Sequence, residues 1–223
     1  MKPRFSNQRN HALTITEVLV VIVVLAVLVA LTILHVNNEE GWRRKAVRIN
    51  CVNNLKEISL AYRIWAGDNN GKFPFEISVT NGGSMELVAD AKNVWLNYLV
   101  ISNELSTPKI LYCPADTDHT RAANFTTDFN NSKISYFIGL DADKKYPQML
   151  LSGDDNFEIG GVPVKSDLLE LSINAPISWT AARHKFAGNI GLADGSVQQV
   201  TSSSLHQWLL PQTGLATNHL AIP

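Results

Sequence analysis

The apolar positions of this chain follow three regimes in turn. Residues 18–34, VLVVIVVLAVLVALTIL, form 17 consecutive residues without a charge. With Leu13 to Thr16 the run reaches the roughly 20 residues that cross a bilayer core as a helix. Past a polar break at HVNNEEGW (35–42) the pattern becomes amphipathic. Val47, Cys51, Leu55, Ile58, Tyr62 and Trp65 are spaced by 4, 4, 3, 4 and 3, which puts all six on one helical face. A single helix from Leu13 to about Ala66 is therefore predicted, 54 residues and about 80 Å long at about 1.5 Å per residue. Gly41 is its weakest interior point. The helix stops at GDNNGKFP, where Gly67, Gly71 and Pro74 supply turn chemistry.

The third regime begins at Ile134, where short strand-like runs alternate with turns. ISYFIGL (134–140), QMLLSGD (148–154) and ISWT (177–180) read as strands, and GNIGLADGSVQQV (188–200) as a hairpin. Asp194-Gly195 predicts a type I′ turn there, with positive φ at both central residues. Residues 75–133 show only a short helix over 94–105 and a Pro-marked loop at LYCPADTDH. The tail 202–223 is expected to hold one helical turn at LHQWLL and an irregular end. These elements predict an α+β fold in two layers, with an antiparallel sheet of about four strands laid on the amphipathic half of the long helix.

Charge gives the chain a direction. The leader MKPRFSNQRNHA carries Lys2, Arg4 and Arg9 and no acid, so the positive-inside rule keeps it in the cytoplasm and sends the remainder outside. Four segments follow: a cytoplasmic leader (1–12), a transmembrane half (13–34), an amphipathic half (35–66) and an extracytoplasmic head (67–223). Glu17 is the exception in the apolar run. A carboxylate inside a membrane helix costs about 2.5–3.5 kcal/mol on insertion scales, so it needs a function or a partner, unless it sits at headgroup level. A secretory signal peptide, with Val24 and Ala26 as its cleavage site, is disfavoured because the apolar run continues through Leu34. An uncleaved signal anchor fits the length but leaves Glu17 as coincidence.

A basic leader, a small residue, a hydrophobic residue and Glu at the fifth mature position together resemble the prepilin leader of type IV pilins and type II secretion pseudopilins. In that register the cut falls between Ala12 and Leu13, where the family usually has Gly and Phe. The resemblance extends into the head. CVNNLKEISLAYRIWAGDNNGKFP, LYCPAD, ATNHLAIP and RHKFAGNIGLADGSVQQV are similar to segments of the prepilin-type proteins abundant in planctomycete- and verrucomicrobia-like bacteria. The last has His184, nine residues, then Asp194-Gly195, the H-X9-DG pattern of that group. The resemblance implies a pilin-like fold and a structural subunit of a type II secretion or pilus-like filament. It implies cleavage by a prepilin peptidase with N-methylation of Leu13, assembly with like subunits on an inner-membrane platform, and Glu17 as the assembly carboxylate. A membrane-anchored adhesin or ligand-binding domain is the alternative, and a membrane-anchored enzyme is a more distant one.

Loss of the leader leaves 16 Lys+Arg against 20 Asp+Glu, a mature charge of −4, which carries no nucleic-acid footprint. Arg43, Arg44, Lys45 and Arg48 meet acidic groups on neighbouring subunits or form a solvated helix face. Cys51 and Cys113 are the only cysteines. In an oxidising compartment a Cys51–Cys113 disulfide is expected over two buried thiols. His184 and Asp194 invite a base-and-orienter reading, but turn geometry accounts for Asp194 and no nucleophile, zinc or phosphate motif accompanies them. No enzyme activity and no cofactor are therefore expected. The acidic pairs Asp116/Asp118, Asp141/Asp143 and Asp154/Asp155 read first as solvated turns. The alternative is a Ca²⁺ site drawing on Asp141, Asp143, Asp154 and Asp155.

Overall fold

The structure, a computed structural model, describes residues 14–223 apart from the side chains of residues 37, 38 and 40. The chain divides into two compact units, Met1–Lys45 and Ala46–Pro223. Helix α1 (Ile15–Asp68) has the predicted 54 residues, set two positions later than the apolar pattern suggested, and continues through Gly41. In the first unit its apolar side chains are exposed, Leu19 at 60 % and Leu31 at 58 %. This helix is long and apolar enough to cross a membrane.

In the second unit the predicted face of α1 is the one that is buried. Cys51, Leu55, Ile58 and Tyr62 are fully sealed and Trp65 nearly so, packed with Phe73, Tyr98 of the short helix α2 (Val94–Val100), and Tyr136 and Ile138. The 94–105 segment is two helices rather than one, since α3 (Ser102–Leu105) follows a break at Ile101.

The strands are β1 (Tyr136–Gly139), β2 (Leu150–Asp154), β3 (Phe157–Ile159), β4 (Val162–Pro163), β5 (Asp167–Ser172), β6 (Ile177–Trp179), β7 (Ala187–Leu192), β8 (Val197–Thr201) and β9 (Thr217–Ile222). Six form an antiparallel sheet in the order β5-β9-β1-β2-β7-β8, and β4-β3-β6 form a second, smaller sheet. Four expectations are corrected here. The main sheet has six strands rather than about four, and ISWT (β6) belongs to the second sheet. The supposedly irregular end is β9, an interior strand whose Leu220 pairs with Leu169 on one side and Gly139 on the other. The architecture has more than two layers, because both faces of the main sheet are covered. Phe137, Leu150, Ile190, Leu192 and Leu220 face away from α1 and pack on Phe157, Trp179, Leu205 and Leu209. That second layer explains why β1, β2 and β7 are buried at every position, where a one-sided sheet would alternate.

The β7–β8 hairpin forms where expected but with a different turn. Gly195 alone has positive φ (+88°), and its N–H donates to Leu192 O at 2.9 Å while Leu192 N–H donates to Ser196 O at 2.9 Å. This is the three-residue loop in which a type I turn is followed by a left-handed glycine. Asp194 needs no positive φ, because its Oδ1 accepts the Ser196 N–H at 2.8 Å.

Close approach fixes two glycines of β7. A methyl on Gly191 would lie 2.6 Å from Ser59 Oγ of α1, and one on Gly188 would overlap the Trp179 ring, which stacks on Phe157 at 4.4 Å between centroids. Overpacking of this kind costs about 1–3 kcal/mol. Gly188→Ala is therefore expected to lower the unfolding free energy by that amount, read as a lower denaturant midpoint at unchanged secondary structure by circular dichroism; an unshifted midpoint would mean the second layer does not press on β7.

Candidate functional site

Two of the buried carboxylates of the head, Asp116 and Asp155, converge on one buried node around Arg183, whose side chain is 2 % exposed. Three chain segments build it. The first is the turn Cys113–Asp116, in which Pro114 occupies the position that favours its fixed φ and Asp116 N–H donates to Cys113 O at 2.9 Å. Asp116 Oδ1 then accepts the N–H groups of Asp118 at 2.8 Å and His119 at 3.3 Å, which aims its Oδ2 inward. The second is the end of β2 with Asp154 and Asp155. The third is the segment before β7, where Lys185 (φ +54°) and Phe186 (φ +59°) take consecutive left-handed conformations. Such strain is rare for side-chain-bearing residues, and it follows directly on Arg183 and His184.

Arg183 Nη2 lies 2.7 Å from Asp116 Oδ2 and 2.5 Å from Asp155 Oδ1, while Nη1 donates to Ser135 O at 2.8 Å. His119 Nδ1 sits 2.8 Å from the same Asp116 oxygen. Asp154 points to the other side of β2, where its Oδ2 accepts the backbone and side-chain N–H groups of Asn189, both at 2.8 Å. Arg48 of α1 reaches Asn189 Oδ1 and Gly188 O, each at 3.4 Å. Lys45 instead lies 5.0 Å over the Trp42 ring.

The electrostatics follow from burial and sharing. Burial opposes the charge on Asp116, but the His119 hydrogen bond and the Arg183 guanidinium hold it well below the usual carboxylate range. Asp155 has the same cation as neighbour, yet burial, aided by the Asp116 charge, outweighs Arg183 and His119, and the carboxyl is pushed up to about 6. Burial likewise raises Asp154 to about 7 against the pull of Arg183 and Asn189. His119 is raised: burial disfavours its cation, and the bond to Asp116 with the charge of Asp155 outweighs that. His184 is pushed down to about 4 by burial and by Arg48 and Arg183.

The predicted residues scatter relative to this node. Cys51 and Cys113 are joined as a disulfide with Cα atoms 5.4 Å apart, tying α1 to the Asp116 turn. His184 Nε2 lies 3.5 Å from Cys113 Sγ and 3.5 Å from Asp154 Oδ2. Its carboxylate neighbour is thus Asp154, not Asp194. His184 and Asp194 stand beyond opposite ends of β7, whose six residues span about 20 Å, so they do not form a base-and-orienter pair. Asp141 holds His219 through its Nδ1 (2.9 Å) and N–H (2.6 Å), and Asp143 caps the Lys145 N–H at 2.8 Å. Among the described residues Asp141, Asp143, Asp154 and Asp155 do not converge on one place. Asp116, His119 and Asp155 do, within 4.8 Å of one another, with Arg183 already bonded to both carboxylates. The Asp154/Asp155 and Asp116 carboxyls are therefore buried groups rather than the solvated turns expected.

Glu17 caps its own helix. Its Oε2 accepts the N–H and the hydroxyl of Thr14, both at 2.8 Å, and Thr14 Oγ1 accepts the Glu17 N–H at 3.3 Å. This reciprocal capping box is legible in the sequence as T-I-T-E ahead of an apolar run. Ala12 and Leu13 lie outside the described residues. Arg183, His119 and Asn189 carried no motif of their own; the pointer to them was an arginine flanking His184 and an acidic pair set in the apolar run QMLLSGDDNF.

A cleft of about 440 Å³ opens beside the node, lined by Asp118, His119, Lys165 and Arg183 with Phe157 and Val164. Its one deep cation, Arg183, is neutralised from below. Comparison with models of known protein families, with curated proteins and with solved structures finds no match to this chain. What the structure defines is a fold class: α+β in a pilin-like layout, a long N-terminal helix with a C-terminal antiparallel sheet.

Removing one member of a buried ion pair leaves the other uncompensated, at a cost of about 3–5 kcal/mol. Arg183→Met is expected to destabilise the head by that amount in denaturant unfolding, and retained stability would mean the node is not a keystone. The pH dependence has a definite sign. Asp116, held low, contributes stability that is lost as pH falls through and below the ordinary carboxylate range. Asp155 and Asp154, held high, cost stability as pH rises from about 4 toward 6 and 7, and His119, held high, loses its contribution as pH rises through its elevated value. His184, held low, adds stability as pH rises from about 4 and offsets part of that cost, so the melting temperature is expected to peak at about pH 4, where the Asp116 contribution is intact and the cost of Asp155 and Asp154 has barely begun. A higher value at pH 8 than at pH 5 contradicts this assignment.

Proposed function

We propose that the chain is a structural subunit of a pseudopilin or pilin-like filament, of the type II secretion or type IV pilus kind. The observation that carries this reading is the division of labour within α1: its first half is apolar and exposed on all sides, and its second half seals the core of a head domain. A helix used only for export has no need to be continuous with the main packing element of the domain it exports. A filament subunit does, because force and register pass from the helix bundle to the head through it.

In this reading the protein waits as a single-pass inner-membrane protein with residues 1–12 in the cytoplasm. A prepilin peptidase cuts between Ala12 and Leu13 and methylates the new amino group. The apolar half then exchanges lipid for neighbouring helices, a nearly neutral transfer that an assembly platform must drive. Glu17, which caps α1 through Thr14 while the subunit waits, turns to the Leu13 amine of an adjacent subunit and so sets axial register. A carboxylate in a low-dielectric bundle needs such a partner. Subunits added head to tail give an open helical filament.

Mass spectrometry of the intact membrane-extracted protein tests the pathway. A mature chain starting at methylated Leu13 supports it; an intact Met1 or a start near Val27 sinks it. Two substitutions then separate the roles of Glu17. Glu17→Gln keeps the capping geometry and removes the charge, whereas Glu17→Val removes both. If the charge sets register, both variants are cleaved and neither is incorporated into filaments. Normal incorporation of Glu17→Gln would assign the residue to capping alone.

A further inference from the structure

The disulfide sits inside a ligand set that it does not use up. Cys51 on α1, Cys113 in the Asp116 turn and His184 before β7 place Sγ, Sγ and Nε2 within 4.8 Å of one another. Asp154 of β2 stands beside His184, outside that mutual distance, with its Oδ2 3.5 Å from His184 Nε2. Two of the edges have the dimensions of a tetrahedral zinc site. With Zn–S of about 2.3 Å and Zn–N or Zn–O of about 2.0–2.2 Å, a sulfur–nitrogen edge is about 3.6 Å and a nitrogen–oxygen edge about 3.4 Å. Cys113 Sγ to His184 Nε2 is 3.5 Å, and His184 Nε2 to Asp154 Oδ2 is 3.5 Å. The Cα atoms of the two cysteines are 5.4 Å apart, so side-chain rotation suffices to part the sulfurs to the roughly 3.8 Å of a sulfur–sulfur edge.

The surroundings suit a metal as well. Asp154 is fully buried and among the described residues its Oδ1 has no hydrogen-bond partner, while Oδ2 is oriented by both N–H groups of Asn189. Such outer hydrogen bonds are what fix a ligating carboxylate in place. The His184 side chain is 3 % exposed, which keeps water from the set. Two thiolates and one carboxylate bring three negative charges; a zinc ion leaves one, and Arg48, bonded to Asn189 and Gly188 beside the site, answers it.

We propose that the dithiol form of this chain binds one zinc ion through Cys51, Cys113, His184 and Asp154, so that disulfide and metal are alternative clasps between α1 and the Asp116 turn. The chemistry balances with a thiol reductant. Two reductant thiols give two electrons and two protons to the Cys51–Cys113 bond and leave as their own disulfide. Zinc then displaces the two thiol protons to solvent as two Zn–S bonds form, without changing oxidation state. A disulfide-forming oxidant reverses the sequence and expels the ion.

The test uses the full chain in detergent, reduced, freed of reductant under anaerobic conditions and titrated with Co²⁺ as a spectroscopic stand-in for zinc. One equivalent is expected to give tetrahedral d–d bands with sulfur-to-cobalt charge transfer, both abolished by stoichiometric zinc, while the oxidised chain gives neither. His184→Gln and Asp154→Asn are expected to weaken binding by more than the about 10–100-fold that loss of an outer-shell group costs. X-ray absorption of the zinc-loaded wild type is expected to count two sulfur and two nitrogen or oxygen ligands, a readout that does not depend on any variant folding. No tetrahedral cobalt spectrum in the reduced wild type, or a zinc shell without two sulfurs, overturns the proposal.

Discussion

A guanidinium taken out of water has to be neutralised where it lies, and the head is organised around that requirement at Arg183. Two carboxylates and a backbone carbonyl meet it, from the Asp116 turn, the end of β2 and Ser135. None of these segments is held by regular secondary structure over its whole length. The region 106–135 is largely short turns and loops, which a hydrophobic core alone positions loosely. The ionic node gives it one address. Isolated buried ion pairs are weak evidence for stability, because desolvation offsets the Coulomb gain. Their cost when broken is what makes them specifying: a misplaced Asp116 turn would leave Arg183 with Asp155 as its one buried carboxylate and leave the Asp116 carboxylate without its cation.

The disulfide works on the same turn from the other side. Cys51 to Cys113 closes a loop of 62 residues, a constraint on the unfolded chain of about 4 kcal/mol by loop entropy. It joins the sealed face of α1 to the residue three before Asp116. The long helix, the loop region and the end of the interior strand β2 are thus fastened at one place by a covalent bond and an ionic one that share the Cys113–Asp116 turn. The packing of Leu55, Ile58 and Tyr62 on Tyr136 and Ile138 then supplies the area, and the node supplies the alignment.

Periodicity made α1 legible, because 3.6-residue spacing survives over many turns and its buried face is the one the sequence marked. The hairpin at Asp194-Gly195 was legible for the same kind of reason, since a glycine in a left-handed position is demanded by the chain reversal whichever turn type forms. What escaped was set by neighbours rather than by local pattern. β5 and β9 are six-residue strands in which polar residues such as Glu170 and His219 pair across the sheet, so neither reads as a clean alternation. The second covering layer was hidden because Phe157, Trp179 and Leu205 come from short, separate segments. The acidic pairs read as solvated turns because charge is normally at the surface; only the arginine that buries Asp116 and Asp155 reverses that inference, and it lies 28 residues beyond Asp155 in the chain.

The spacing between His184 and Asp194 has a structural origin that needs no chemistry between them. The nine intervening residues are the two left-handed residues Lys185 and Phe186, the six residues of β7, and Ala193 at the start of the hairpin turn. Each part has its own reason for its length. The strained pair follows Arg183, which enters the node, and His184, which packs beside it against Cys113 and Asp154. β7 must cross the sheet between β2 and β8 while keeping Gly188 under Trp179 and Gly191 against Ser59 of α1. The turn needs Asp and Gly to close on β8. A residue inserted anywhere in that interval would shift the β7 register by one and send each of its side chains to the opposite face, pulling the two glycines off their close approaches. The His-to-Asp-Gly interval is therefore a ruler for β7, with the buried node at one end and the reversal of the chain at the other.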